Sequence, residues 1–262
     1  MSSVSSVVKR FNLNSKKEYQ NTVIHDFFDT IDTSEKAYLL GFFIADGCIC
    51  SNTHRSNGRF SISQSLDDQE VVKAFKYYLN IPNQIQYVDN QIGVEHRKLQ
   101  NRIRWTSVHM ADTFKEIYKI TPNKTLNIDF EFPIHLIPEN LQGHFVRGFI
   151  DGDGYIGDNG FKNNISISII GTSIKFITLI GDLVSKNSGM SYKIYEKTGK
   201  TCKYYNLRWS CDRINKLNKI TKLYHYLYNN ATIFLSRKRF NIEYYIEYRA
   251  KLLGNTNNQC NA

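Results

Sequence analysis

A chain of 262 residues is long enough for one large domain or two ordinary ones, and either buries a substantial core. With 41% hydrophobic and 13% aromatic residues, disorder is excluded as the dominant state. Lys and Arg outnumber Asp and Glu by 34 to 24, and the resulting +10 suits a polyanionic partner, nucleic acid foremost.

Residues 1–31 read as an N-terminal extension, in which Lys9, Arg10, Lys16 and Lys17 suit phosphates. Asp32-Thr-Ser-Glu35 then supplies a capping box for an apolar helix that runs through Tyr38-Leu-Leu-Gly-Phe-Phe-Ile-Ala-Asp-Gly47. Strands follow at 48–54 and 59–65 around a turn at Asn57-Gly58, and 67–79 carries Val71, Val72, Phe75 and Leu79 at helical spacing. A second hairpin is predicted at 84–88 and 102–107, and a helix at 108–118. Pro138 suits the first turn of a second apolar helix, through Phe145-Val-Arg-Gly-Phe-Ile-Asp-Gly-Asp-Gly154. Strands at 155–157, 165–169, 192–197 and 204–210 and helices at 173–185, 212–228 and 236–253 complete the chain.

The halves match. Asp153 follows Asp46 by 107 residues, and Arg208-Trp209-Ser210 echoes Arg104-Trp105-Thr106. Trp105 lies 59 residues after Asp46, and Trp209 lies 56 after Asp153. Agreement in order and spacing predicts an α+β fold in which an αββαββα unit occurs twice, over 32–137 and 138–262. Each apolar helix ends in a carboxylate and then a glycine, Gly47 or Gly154, suited to a left-handed cap. Gly41 and Ala45, like Gly148 and Gly152, are four apart and share a face without bulk, so the two helices can approach closely.

That approach brings Asp46 and Asp153 together. A carboxylate at a helix C-terminus is misplaced by roughly 0.3–1 kcal/mol, and two side by side also repel. A divalent cation relieves both, and Mg²⁺ takes oxygen ligands while keeping water for chemistry. The strands alternate: Phe60, Ile62, Ile103, Trp105, Leu207 and Trp209 face one way. The opposite, polar faces hold Arg59, Ser61, Ser63, Arg102, Arg104 and Thr106 in the first half. In the second they hold Ser166, Ser168, Lys193, Lys197, Asn206, Arg208 and Ser210. Cations and hydroxyls with few acids suit base edges and phosphates, although solvent alone also explains a wet face.

Residues 39–47 and 146–154 resemble the nine-residue motif of the LAGLIDADG homing endonucleases, in the single-chain form with two copies. The match is specific at Gly41, Asp46 and Gly47, and at Gly148, Asp151, Asp153 and Gly154. The resemblance implies motif helices packed at the centre and two antiparallel sheets forming a DNA-binding saddle. It implies a monomer that makes a staggered double-strand break in a long asymmetric DNA site. Asp46 and Asp153 would bind two or more Mg²⁺ ions, with the carbonyls of Ala45 and Gly152, and Ca²⁺ would support binding without efficient cleavage. Gln64 would sit near the attacking water; its second-half counterpart falls around Ile170-Gly171, so the two sites would be unequal. Lys124 and Lys238, with Arg237 as the alternative to Lys238, would stabilise charge. The sixth motif position, often Asp, is Ile44 in the first copy.

A maturase binding its host intron RNA on the same fold is the main alternative. A DNA-binding regulator would have lost an acid, and a two-carboxylate glycosidase would not need so basic a chain. The five cysteines, Cys48, Cys50, Cys202, Cys211 and Cys260, show no zinc spacing and read as reduced thiols of an intracellular protein. No apolar run reaches the length of a membrane span, so no membrane partner is expected. Richness in Asn, Lys, Ile and Tyr suggests an AT-rich genome, such as that of a phage, bacterium or organelle.

Overall fold

The computed structural model describes residues 22–50, 58–89, 99–158, 165–199, 202–210 and 216–259. The basic residues of 1–21, the strand end at 51–54, Asn57, Cys211, the helix start at 212–215 and Cys260 lie outside the described residues. The first half contains α1 (Ser34–Asp46), β1 (Cys48–Cys50), β2 (Arg59–Ser65), α2 (Gln69–Tyr78), β3 (Gln86–Val88), β4 (Gln100–Thr106) and α3 (Val108–Glu116). The second contains α4 (Glu139–Asp153), β5 (Gly154–Asp158), β6 (Ile165–Gly171), α5 (Ile174–Ser188), β7 (Ser191–Thr198), β8 (Lys203–Ser210) and α6 (Lys216–Tyr228). A further helix, α7 (Ser236–Gln259), follows.

The fold is α+β, with two four-stranded antiparallel sheets ordered β1-β2-β4-β3 and β5-β6-β8-β7. The order is the same in each half, as the repeat predicts. So is the register: Phe60 stands opposite Trp105, and Ile167 opposite Trp209. The alternating apolar residues of each sheet turn inward against the helices. Phe60 and Trp105 stack at 5.3 Å, and the Phe43 ring of α1 meets both edge-on. On the other side Phe149 of α4 meets Phe176 of α5 edge-on at 4.9 Å.

α1 is apolar on every side, and residues Ala37 through Ala45 are all buried. A helix of that kind needs cover all round. The first sheet covers one side, and α4 covers the other. A Cβ on Gly41 would lie 2.1 Å from the Phe145 carbonyl oxygen, and one on Gly148 would lie 2.1 Å from that of Tyr38. The contact is therefore backbone against backbone, and it is reciprocal.

Several local details differ from the sequence expectation. Gly47 and Gly154 do not adopt left-handed caps; their φ angles are −74° and −101°, in extended backbone. Glycine is needed there for space, since a Cβ would strike the Phe43 ring or the Ile150 carbonyl. The left-handed cap lies instead at Gly189, after α5, with φ 73°. Thr33 is the N-cap of α1, accepting from the Lys36 N–H at 3.2 Å, and Pro138 is the N-cap of α4 rather than part of its first turn. The predicted helix at 67–79 opens as a 3-10 turn, Leu66–Asp68, and Asp68, at the N-cap of α2, makes no side-chain cap bond; its carboxylate binds Arg237.

Gly148→Val should destabilise the fold by about 1–3 kcal/mol or more, the usual scale of core overpacking, because a carbonyl cannot swing aside. Urea unfolding should show a lower midpoint with an unchanged slope; an unaltered midpoint would mean that the helices are free to separate.

Candidate active site

α1 and α4 end side by side, each on its aspartate. A Cβ on Gly152 would lie 2.3 Å from that of Ala45 and 3.3 Å from Asp46 Oδ2, so the small residues set the spacing of the acids. Asp46 and Asp153 line one cleft of about 420 Å³ with Lys124, Phe149, Phe176 and Tyr204. Both acids reach solvent at its rim. Even so, the protein packed around Asp153 desolvates it and, with Asp46 beside it, pushes its carboxyl up to about 6, against the pull of Lys124 and Lys238.

Gln64 comes from β2 and donates its side-chain amide to Asp46 Oδ2 at 2.7 Å. The matched registers give its second-half equivalent: four residues beyond Phe60 is Gln64, and four beyond Ile167 is Gly171. No side chain is available there, so Asp153 lacks the partner that Asp46 has.

Each helix end receives a lysine. Lys124 Nζ donates to the Ala45 carbonyl at 2.6 Å, and burial lowers its pKa while Asp153 and Asp46 oppose that shift. This lysine opens a short 3-10 turn, Lys124–Leu126. Lys238, in the first turn of α7, donates to the carbonyls of Ile150, Asp151 and Gly154, each at 2.6 Å. Only 1% of it is exposed, and burial pushes its amine down to about 8. Arg237, the alternative, instead holds Asp68 through two bonds of 2.8 and 2.9 Å.

Asp151, two residues before Asp153, has a different place. It is buried, accepts from Tyr38 Oη at 2.9 Å and from the Leu235 N–H at 2.9 Å, and burial raises its pKa to about 6. Beside it Arg147 stacks on the Tyr38 ring and donates to His144, Leu227 and Ile233. This network ties α4 to α1 and to the segment entering α7.

The polar sheet faces flank the tips. On the first, Arg59, Arg104 and Thr106 are exposed, and Ser61, Ser63 and Arg102 are half-buried. They line a cavity of about 410 Å³ that ends at Asp46, Thr106 excepted. On the second, Lys193, Lys197, Arg208 and Ser210 are exposed, and Ser166 and Asn206 half-buried. Ser168 departs from expectation: at 9% exposure it is buried, with Tyr155 and Arg208 opposite it on either side. The same pairing puts Tyr155, Ile170, Tyr195 and Tyr204 on this face, as it puts Cys48 and Cys50 on the first. Reading the alternation through every strand would have found them.

The raised pKa of Asp153 has a stability consequence. Its folded value, about 6, exceeds the ordinary 3.8, so its stabilisation is present below pH 4 and is lost as pH rises through 6. Asp153→Asn should therefore raise the melting temperature of metal-free protein at pH 7, by about 1–4 °C once solvent screening is allowed for, and less at pH 4. Scanning calorimetry at both pH values measures this, and equal shifts at the two would remove the repulsion from the account.

Neither a protein-family model nor a curated protein matches the sequence. Among solved structures, the chain is similar to the homing endonuclease I-DmoI, at 18% identity over 72% of this chain and 94% of that one, with a TM-score of 0.47. It is similar to the homing endonuclease I-WcaI bound to its DNA recognition sequence, at 15% identity over 89% and 97% of the two chains, TM-score 0.49. It is also similar to full-length DUF199/WhiA from Thermatoga maritima, at 12% identity over 86% and 64%, TM-score 0.47.

Proposed function

We propose that this chain is a site-specific DNA endonuclease that hydrolyses one phosphodiester in each strand of a long, asymmetric duplex site, leaving staggered ends. One observation carries the reading: two carboxylates meet at a helix junction that lies between two cation-bearing sheet faces. The halves 32–137 and 138–262 would each serve one strand, and a single chain would suffice.

The donor set fits a hard divalent cation. Asp153 is reluctant to ionise beside Asp46, and among the described residues no third acid, His or Cys joins the pair. Two carboxylates with room for water suit Mg²⁺, which keeps several waters, and the carbonyls of Ala45 and Gly152 lie one residue before each acid. When bound, such an ion supplies Lewis-acid activation of water and neutralises charge at the phosphate and leaving oxygen. Ca²⁺ would support binding of DNA with little cleavage.

Gln64 fixes the orientation of Asp46 and presents its amide where water enters. Lys124 and Lys238 neutralise the negative helix ends and lend positive potential to the cleft. With Gly171 in place of a second glutamine, the two half-reactions are unequal, and the site at Asp46 is the better equipped. The cationic sheet faces hold duplex DNA, with an affinity that falls steeply as salt rises.

Asp46→Asn and Asp153→Asn should each keep DNA binding but lower double-strand cleavage in Mg²⁺ by roughly 10²–10³-fold, the scale for removing one electrostatic stabiliser. Gel-resolved cleavage of duplex containing the bound site is the measurement. Cleavage at the native rate by either variant would exclude that carboxylate from the chemistry.

A further inference from the structure

The two sheet faces are chemically unlike. The first carries three guanidiniums, Arg59, Arg102 and Arg104, each opposed across the strand pair by a small hydroxyl: Thr106, Ser63 and Ser61. Small neighbours leave the guanidiniums uncovered. Arg102 is also set in place, since its Nε donates to Ser63 Oγ at 2.7 Å while neither terminal nitrogen has a hydrogen-bond partner among the described residues. Arg59 and Arg104 are exposed on the same cavity floor.

The register places quite different groups on the second face. The equivalent of Arg59 is Ser166, that of Ser63 is Ile170, and that of Arg102 is Asn206. Ile170 is 44% exposed, Tyr195 45% and Tyr155 49%, large side chains with apolar surface among the polar groups of this face. Arg208 is the single arginine equivalent to one on the first face, and its guanidinium lies over the Tyr195 ring at 6.0 Å. Asn206 turns its amide oxygen into the protein, where it finds no described partner, so it does not present a two-point edge. Lys193 and Lys197 flank Tyr195 along β7 as point charges, which suit phosphates.

Guanine offers two acceptors in the major groove that a guanidinium matches, and thymine offers a methyl group that apolar side chains contact. We infer that the target is asymmetric in base composition: G·C pairs in the half read by β2 and β4, and A·T pairs in the half read by β6 and β7. Arg59, Arg102 and Arg104 select the first, and Ile170 and Tyr195 the second. The inference rests on the reading of these faces as DNA-contacting surfaces, and it adds which bases each one selects.

The test is selection of bound duplexes from a fully randomised double-stranded pool by the full chain in Ca²⁺, repeated with variants. Wild-type protein should enrich a site with G·C positions in one half and A·T positions in the other. The double variant Arg59→Ala/Arg104→Ala should lose roughly 5- to 150-fold of the preference at the G·C positions and leave the A·T half unchanged. Ile170→Ser/Tyr195→Ser should do the converse. A selected site without this partition, a pool with no enriched sequence, or arginine variants that alter the A·T half would each overturn the inference. A selected site without the partition leaves the endonuclease reading standing, a pool with no enriched sequence removes its site specificity as well, and the Asp46 and Asp153 variants test the chemistry at the acids separately.

Discussion

Where Gly41 meets the Phe145 carbonyl and Gly148 meets that of Tyr38, two helices approach at backbone distance, and the placement of nearly everything else follows. The approach fixes how the halves face each other. It sets the spacing of the acids, because Gly152 and Ala45 are the last small residues before the helix ends. It also aligns the sheets, because Phe43 locks α1 to Phe60 and Trp105. Specificity of this kind comes from dispersion at close range and from the absence of side chains, and the buried Tyr38–Asp151 hydrogen bond adds one polar tie between the two helices.

Such an arrangement concentrates negative potential. Two helix C-termini and two carboxylates share one small region, and the protein answers with two lysines aimed at backbone carbonyls rather than at the carboxylates. Cations at helix C-termini are stabilising, and here they leave the aspartate oxygens able to bind something else. A direct lysine–aspartate salt bridge would have settled the electrostatics and blocked the site. The site is stable enough to fold and still electrostatically unsatisfied.

The repeat, the sheet alternation and the helix faces were legible in the sequence because each depends on spacing of 2 or about 3.6 residues along one segment. The β2 boundaries at Arg59 and Ser65 match for that reason. What escaped depends on residues far apart. The pairing of Arg237 with Asp68 spans 169 positions, and it leaves the helix-end role to Lys238 rather than to its neighbour. The burial of Ser168 depends on what β5 and β8 lay beside it. The caps at Gly47 and Gly154 differ from the sequence expectation because a glycine before a strand answers to crowding as readily as to a positive φ, and sequence does not distinguish the two.

The strap from Thr232 to Lys238 touches both halves: Thr232 donates to Glu35, Ser236 to Glu70, Leu235 to Asp151, and Arg237 to Asp68. Its contacts lie late in the chain and close on residues made much earlier. Without this strap the buried Asp151 would lack its second donor and Asp68 its guanidinium. The strap also carries Lys238, so the cover of the acidic junction and the fastening of the two halves depend on one stretch of chain.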